Sequence, residues 1–161
     1  MTVKYQPKLH IVLFCPEIPQ NTGAIGRTCV ALQAKLWLVR PLGFQLNEKT
    51  LRRAGLDYWQ HLEWQITDHW EELDNELEGV RKWFFSRFAK KPFRTVQYQA
   101  GDALVFGSET SGLPKKMTTG VPDQLLRIPT RPEVRSLNLA SSVAVAGYEC
   151  QRQIESEYDF Q

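Results

Sequence analysis

Cysteine, histidine and methionine are scarce in this chain, with three, three and two copies among 161 residues. Cys15, Cys29 and Cys150 are odd in number, far apart and never in a C-x-x-C pair. That suggests neither a disulfide framework nor a thiolate zinc site, so they are expected to be reduced and mostly buried. His10, His61 and His69 lack the H-x-x-x-H and H-E-x-x-H spacings that set two imidazoles on one helix face, and no metal is expected. No apolar run approaches the roughly 18 residues of a membrane span. The opening "MTVKYQPK" has no apolar core of a secretory signal. A cytoplasmic protein without a membrane partner is the expectation. An excess of one charge is lacking too: 20 Lys and Arg against 18 Asp and Glu give +2, which permits a polyanionic partner without requiring one. Internal repeats and low-complexity tracts are absent.

What is present is alternation. At 161 residues and 42% hydrophobic composition the chain suits one domain, residues 1–161, with a real core. "HIVLF" (10–14) reads as a short buried strand, 21–32 as a helix and "KLWLV" (35–39) as a second strand. The charged "LNEKTLRRAGLDYW" reads as a short helix or loop, and "HLEWQI" (61–66) as a weak strand. Asp68 is an expected N-cap with Glu71 three residues on, and Trp70, Leu73, Leu77 and Val80 share one helical face. "KWFFS", "ALVFG" and "QLLRIP" are further buried strands, and a long helix over 137–154 is apolar around most of its circumference. Short apolar strands alternating with helices predict an α/β fold with a mostly parallel sheet covered on both faces. On the last helix, Leu137, Leu139, Ala140, Val143, Ala144, Val145, Tyr148 and Ile154 exceed what one sheet face would use. A subunit interface and a central position in the monomer both fit that pattern.

Ligands of α/β sheets gather at the carboxyl ends of strands, and three loops there carry unusual residues. They are "PEIPQNTGAIGRTC" (16–29), "FGSETSGLP" (106–114) and "RIPTRPEVRSLNLASS" (127–142). Gly107 and Gly112 have the separation of phosphate-loop glycines, yet Leu113 and Pro114 follow where Lys and Ser or Thr are needed, so an NTPase is disfavoured. No G-x-G-x-x-G follows the first strand, which disfavours a dinucleotide-binding turn. Gly23 and Gly26 enclose Ala24 and Ile25, a pattern better suited to helix packing than to a phosphate clamp.

Taken in order, "NTGAIGR", "FGSETSGLP" and "RIPTRPEVRSLNLASSVAVAGYE" resemble the three motifs of SPOUT-superfamily RNA 2′-O-methyltransferases. With "RPLGFQLNEKTLRRAGLDYW" (40–59), the likeness narrows to the small single-domain branch that methylates the wobble ribose of tRNA, cytidine or uridine 34. It runs from about Ile11 to Gln153, leaving no room for a separate RNA-binding domain. The resemblance implies a single-domain SPOUT fold with a C-terminal deep trefoil knot. It also implies S-adenosylmethionine (AdoMet) held in the knot loops, a homodimer with Tyr148 in its interface, and a tRNA anticodon stem-loop as substrate.

The resemblance also assigns residues. Phe85, Ser86, Gly107, Glu109, Gly112, Ile128, Ser136 and Leu137 become the expected AdoMet contacts, with Gly107 letting backbone approach the adenosine where a Cβ would intrude. Arg27, one turn past Gly23, is expected to point toward the strand ends and grip the phosphate beside the target ribose. An Arg stays protonated, so it suits stabilising the developing alkoxide better than removing its proton. Asn21, Ser136 and Asn138 are its expected catalytic supporters; in a purely structural reading Asn21 caps the first helix and Glu109 holds a loop. Arg52, Arg53, Arg131 and Arg135 are the expected RNA contacts, among further basic pairs at Lys90–Lys91 and Lys115–Lys116. Arg87 and Phe88 stand where many relatives have Thr and Lys. A catalytically silent RNA binder, a 2′-O-methyltransferase for another RNA position and an unrelated nucleotide enzyme are the alternatives.

Overall fold

A computed structural model of the chain describes residues 6–47, Lys49 and 57–155. Six strands, β1 (Leu9–Phe14), β2 (Ala34–Val39), β3 (Trp64–Thr67), β4 (Lys82–Phe85), β5 (Ala103–Phe106) and β6 (Leu125–Leu126), form one sheet in the order β3-β2-β1-β5-β4-β6. Every pairing is parallel. Helices α1 (Pro19–Leu32), α2 (Trp70–Glu76), α3 (Lys115–Thr118) and α4 (Leu139–Ile154) lie between and after them.

The strands are apolar on both sides because both faces are covered. Leu9, Ile11 and Leu13 of β1, with Leu36, Leu38, Leu104 and Phe106, pack against Ile25, Cys29 and Leu32 of α1 and Val143, Ala146 and Cys150 of α4. The alternate residues Val12, Trp37, Val39, Phe84 and Val105 pack against Leu73, Leu77 and Met117. Where α1 meets α4, a Cβ on Gly147 would stand 2.6 Å from Leu32 Cδ1, so glycine sets the closeness of the two helices. A Cβ on Gly26 would likewise meet the Trp59 ring at 2.7 Å, which bears out the helix-packing reading of Gly23–Gly26 at the second glycine. All three cysteines are free, with Cys29 and Cys150 buried.

At the amino ends of the sheet, buried Asp102 accepts both arms of Arg81 (3.0 and 2.7 Å), the Trp83 indole N–H (2.9 Å) and the Gln99 N–H (2.9 Å). A buried carboxylate with four donors is satisfied, and this one fastens the approach to β4 to that of β5. Among the described residues no helix is long and apolar enough to cross a membrane.

Several sequence expectations shift. Asp68 does not cap α2; His69 takes that position without a side-chain cap. Asp68 instead pairs with Arg40 at 2.9 Å while its N–H donates to Glu72, because a guanidinium at the end of β2 outcompetes a neutral amide for the carboxylate. The helix stops at Glu76, short of Val80, where Gly79 turns left-handed (φ 79°) and Lys82 Nζ donates to the Leu77 and Val80 carbonyls. β3 begins at Trp64, since 57–61 winds into a 3₁₀ turn. The last helix starts at Leu139, with Leu137 outside it, and β6 keeps only two residues of the expected strand.

His10 carries a pH dependence. Burial, then the nearby Lys35 and Lys82, push its pKa from the ordinary 6.5 down to about 4, and Trp37 Nε1 donates to its Nδ1 at 3.0 Å. The unfolded chain therefore binds this proton first, so the contribution of neutral His10 is complete above pH 6.5 and lost progressively as pH falls toward 4. In urea titrations at pH 7.5 and 5, His10→Gln is expected to show a smaller loss of midpoint than the parent. An equal loss in both would contradict this assignment.

Candidate active site

The parallel order sets the carboxyl ends of β1, β5, β4 and β6 along one edge, and the loops that leave them enclose a cleft of about 560 Å³. Phe85 and Phe106, at the ends of β4 and β5, stack at 4.7 Å with an interplanar angle of 15° and contribute to its lining. Ile128 and Leu137 add further apolar surface, and Ser86, Ser108 and Ser136 bring hydroxyls.

The loop after β5 folds on itself. Gly112 N–H donates to Ser108 O at 3.0 Å, and Gly112 has φ 65°, which favours glycine. A Cβ on Gly107 would stand 2.1 Å from Gly112 C and 2.3 Å from Leu113 N. The close approach that demands glycine at 107 is therefore to its own loop, a requirement the sequence reading had given to a bound adenosine.

Three polar side chains then join the loops. Helix α1 has Ile18 at its N-cap and no side-chain cap of its own. From the β5 loop Glu109 instead fastens the segment that enters the helix, accepting from the N–H groups of Glu17 (2.8 Å) and Ile18 (3.1 Å) and from the Asn21 amide (3.3 Å). A carboxylate at a helix N-terminus also meets the positive end of the helix dipole. Asn21 Oδ1 accepts from Asn138 Nδ2 at 3.1 Å, and Asn138 Oδ1 caps α4 by accepting from Ala140 N (2.8 Å) and Ser141 N (3.3 Å). Asn21 thus lies inside α1 and caps nothing; its amide is the middle of a relay from Glu109 to α4. Beside it, Thr110 Oγ1 donates to Glu17 at 2.6 Å, which holds that carboxyl below its ordinary range.

All eight expected donor contacts, Phe85, Ser86, Gly107, Glu109, Gly112, Ile128, Ser136 and Leu137, line this cleft, as do Asn21, Asn138 and Arg135. Arg27 does not. It sits eight residues into α1, about 12 Å along a helix that leads away from the strand ends. There it is exposed, its guanidinium 5.2 Å from the centroid of the Tyr58 ring, whose hydroxyl bonds the Gly23 carbonyl. Arg131 is exposed and outside the cleft, while Arg52 and Arg53 fall outside the described residues. Tyr148, half exposed, borders a second cavity with Phe93, Arg94, Ile128, Pro129, Val145 and Glu149. Sequence reasoning missed Arg87, Phe88 and Arg127 as cleft residues, although each lies within three residues of a strand's carboxyl end, where such residues are to be sought.

Stacked aromatics, backbone-rich loops, apolar walls and a few hydroxyls suit a flat heterocycle with a polar tail, and the volume is that of a cofactor-sized site. Among the described residues no group of His, Cys, Asp and Glu could hold a metal ion. The model of the SpoU rRNA Methylase family matches residues 8–148. A tRNA (cytidine(34)-2′-O)-methyltransferase of Methylovorus glucosotrophus is 44% identical over 144 residues, 89% of this chain and 94% of that protein. A solved structure concerned with the 2-OH methylation of C/U34 on tRNA matches with a TM-score of 0.85 and 44% identity, over 90% of this chain and 95% of that one. An AdoMet-bound rRNA methyltransferase from Sinorhizobium meliloti shares the fold, with a TM-score of 0.81 and 24% identity, over 96% of this chain and 60% of that one. The three motif loops, the parallel sheet and these likenesses converge: the chain belongs to the SpoU rRNA methylase family.

Proposed function

We propose that this chain transfers the methyl group of AdoMet to the ribose 2′-OH of the wobble nucleotide, cytidine or uridine 34, of tRNA. The observation that carries the reading is the single cleft into which all eight motif-derived donor contacts converge, in a chain 44% identical to a tRNA (cytidine(34)-2′-O)-methyltransferase. AdoMet supplies an electrophilic methyl on a sulfonium. Phe85, Phe106, Ile128 and Leu137 would hold the adenosine, and the Ser86 and Ser136 hydroxyls would fix its polar groups. The C–S bond breaks as the bond from the ribose oxygen to the methyl forms, and the hydroxyl proton leaves to phosphate or water. Positioning the hydroxyl and excluding water are the work left to the protein.

Arg27 stabilises the alkoxide and grips the neighbouring phosphate, held in place over Tyr58. Because it stands outside the cleft of its own chain, this reading gives it to the cleft of a second copy. A homodimer is supported by α4: its Val143, Ala146, Gly147 and Cys150 face the core, while Val145 and Tyr148 stay open at 42% and 49% exposure. Arg135 at the cleft and the exposed Arg131 would track the RNA backbone, with Arg52 and Arg53 as further contacts. The chain acts as one domain in the cytoplasm, and the crossing from β6 back to α4 would carry the trefoil knot.

Two tests follow. Incubating the chain with radiolabelled AdoMet and total tRNA is expected to place label on the ribose at position 34, and Arg27→Ala to lower kcat by roughly 100-fold or more with AdoMet affinity retained. Label absent from tRNA would overturn the reading, and near-normal turnover of the variant would remove Arg27 from catalysis. Tyr148→Asp would bury an unpaired charge in the dimer, so sedimentation is expected to shift toward monomer, with a dissociation constant roughly 100-fold higher. Unchanged sedimentation would count against this interface.

A further inference from the structure

Phe88 is the most exposed large hydrophobic side chain among the described residues, at 78% against 51% for Val134. An exposed apolar residue alone calls for no explanation. This one stands on a turn that is fastened at both ends. Phe85 and Ala89 are buried at 8% and 6%, the Phe88 N–H donates to Ser86 Oγ at 3.1 Å, and the Ala89 N–H donates to Ser86 O at 3.2 Å. Between those anchors only Arg87 and Phe88 face outward. The Arg87 guanidinium lies over the ring, 4.5 Å from its centroid, while the side chain as a whole stays exposed. Both residues line the cleft, together with Arg127 and Arg135.

We propose that Phe88 is a stacking platform for the base of the nucleotide whose ribose enters the cleft, with Arg87 bracing the ring. The inference rests on the reading of RNA as substrate and names a contact that reading leaves open: what holds the base while the ribose is presented. A nucleobase brings a flat π-face to the exposed ring, and its phosphates bring the charge that Arg127 and Arg135 complement. Such stacking accepts cytosine and uracil alike, because it reads no hydrogen-bonding edge.

The test uses the full-length chain and an anticodon stem-loop RNA with 2-aminopurine at position 34, titrated in the presence of S-adenosylhomocysteine, beside methyl-transfer kinetics on tRNA. The intact chain is expected to quench the fluorophore. Phe88→Ala is expected to lose the quenching and raise KM for tRNA by roughly 5- to 150-fold. Its AdoMet affinity by calorimetry and its sedimentation should match the parent. Phe88→Trp should restore quenching and KM, and Phe88→Leu should not. Methyl transfer by the intact chain with an unchanged KM for Phe88→Ala would overturn the stacking alone. A parallel fall in AdoMet affinity would give the ring to the donor, and a shift in sedimentation would give it to a second copy; either overturns the proposal. The quenching titration needs no turnover, so it decides the stacking even where methyl transfer fails, and absence of RNA binding by the intact chain would overturn both readings.

Discussion

The carboxylate of Glu109 is the contact on which the site depends. It reaches across 88 residues of sequence to Asn21, and Asn21 passes the connection a further 117 residues to Asn138. The two end residues also hold backbone: Glu109 accepts from the entry to α1, and Asn138 accepts from the first turn of α4. Removing the carboxylate would leave two backbone N–H groups and an amide without their acceptor, and it would cut the β5 loop from the entry to α1. Two helix N-termini and the β5 loop are therefore one mechanical unit, and the cleft is the space that unit bounds.

The sheet makes such a long-range unit possible. With β1 and β4 flanking β5, the strand order sets the first and second motif loops side by side and brings the chain after β6 back toward them. Nearly every residue below the carboxyl edge is committed to packing, through the apolar runs of the strands and the Asp102 cluster at the opposite end. The edge itself carries the polar side chains and the glycines that let a loop fold tightly. Function sits where the strands stop because there the packing requirement ends.

Much of this is legible in the sequence, for physical reasons. Strands buried on both faces show as short apolar runs, which is why β1, β2, β4 and β5 are found within a residue or so. The spacing of glycines and polar residues after those strands marks the right loops. Helix ends are less legible, since Asp68 and Asn21 both look like caps and neither is one. In each case a partner distant in sequence, Arg40 or Glu109, claims the side chain. Arg27 shows the same limit at larger scale. Its distance from Gly23 is readable, but the direction of α1 relative to the strand ends is a tertiary property. The cleft residues Arg87 and Phe88 show in the sequence only as a departure from the family pattern.

The central claim is that Glu109 and Asn138 act through one connection to shape the cleft proposed for AdoMet. A double-mutant cycle of Glu109→Ala and Asn138→Ala, read by calorimetric AdoMet affinity in the folded proteins, tests it most directly. The account predicts strong non-additivity, a coupling of about 1 kcal/mol or more, because either change already breaks the relay. Additive losses would contradict it and leave the two residues as independent supports of separate loops.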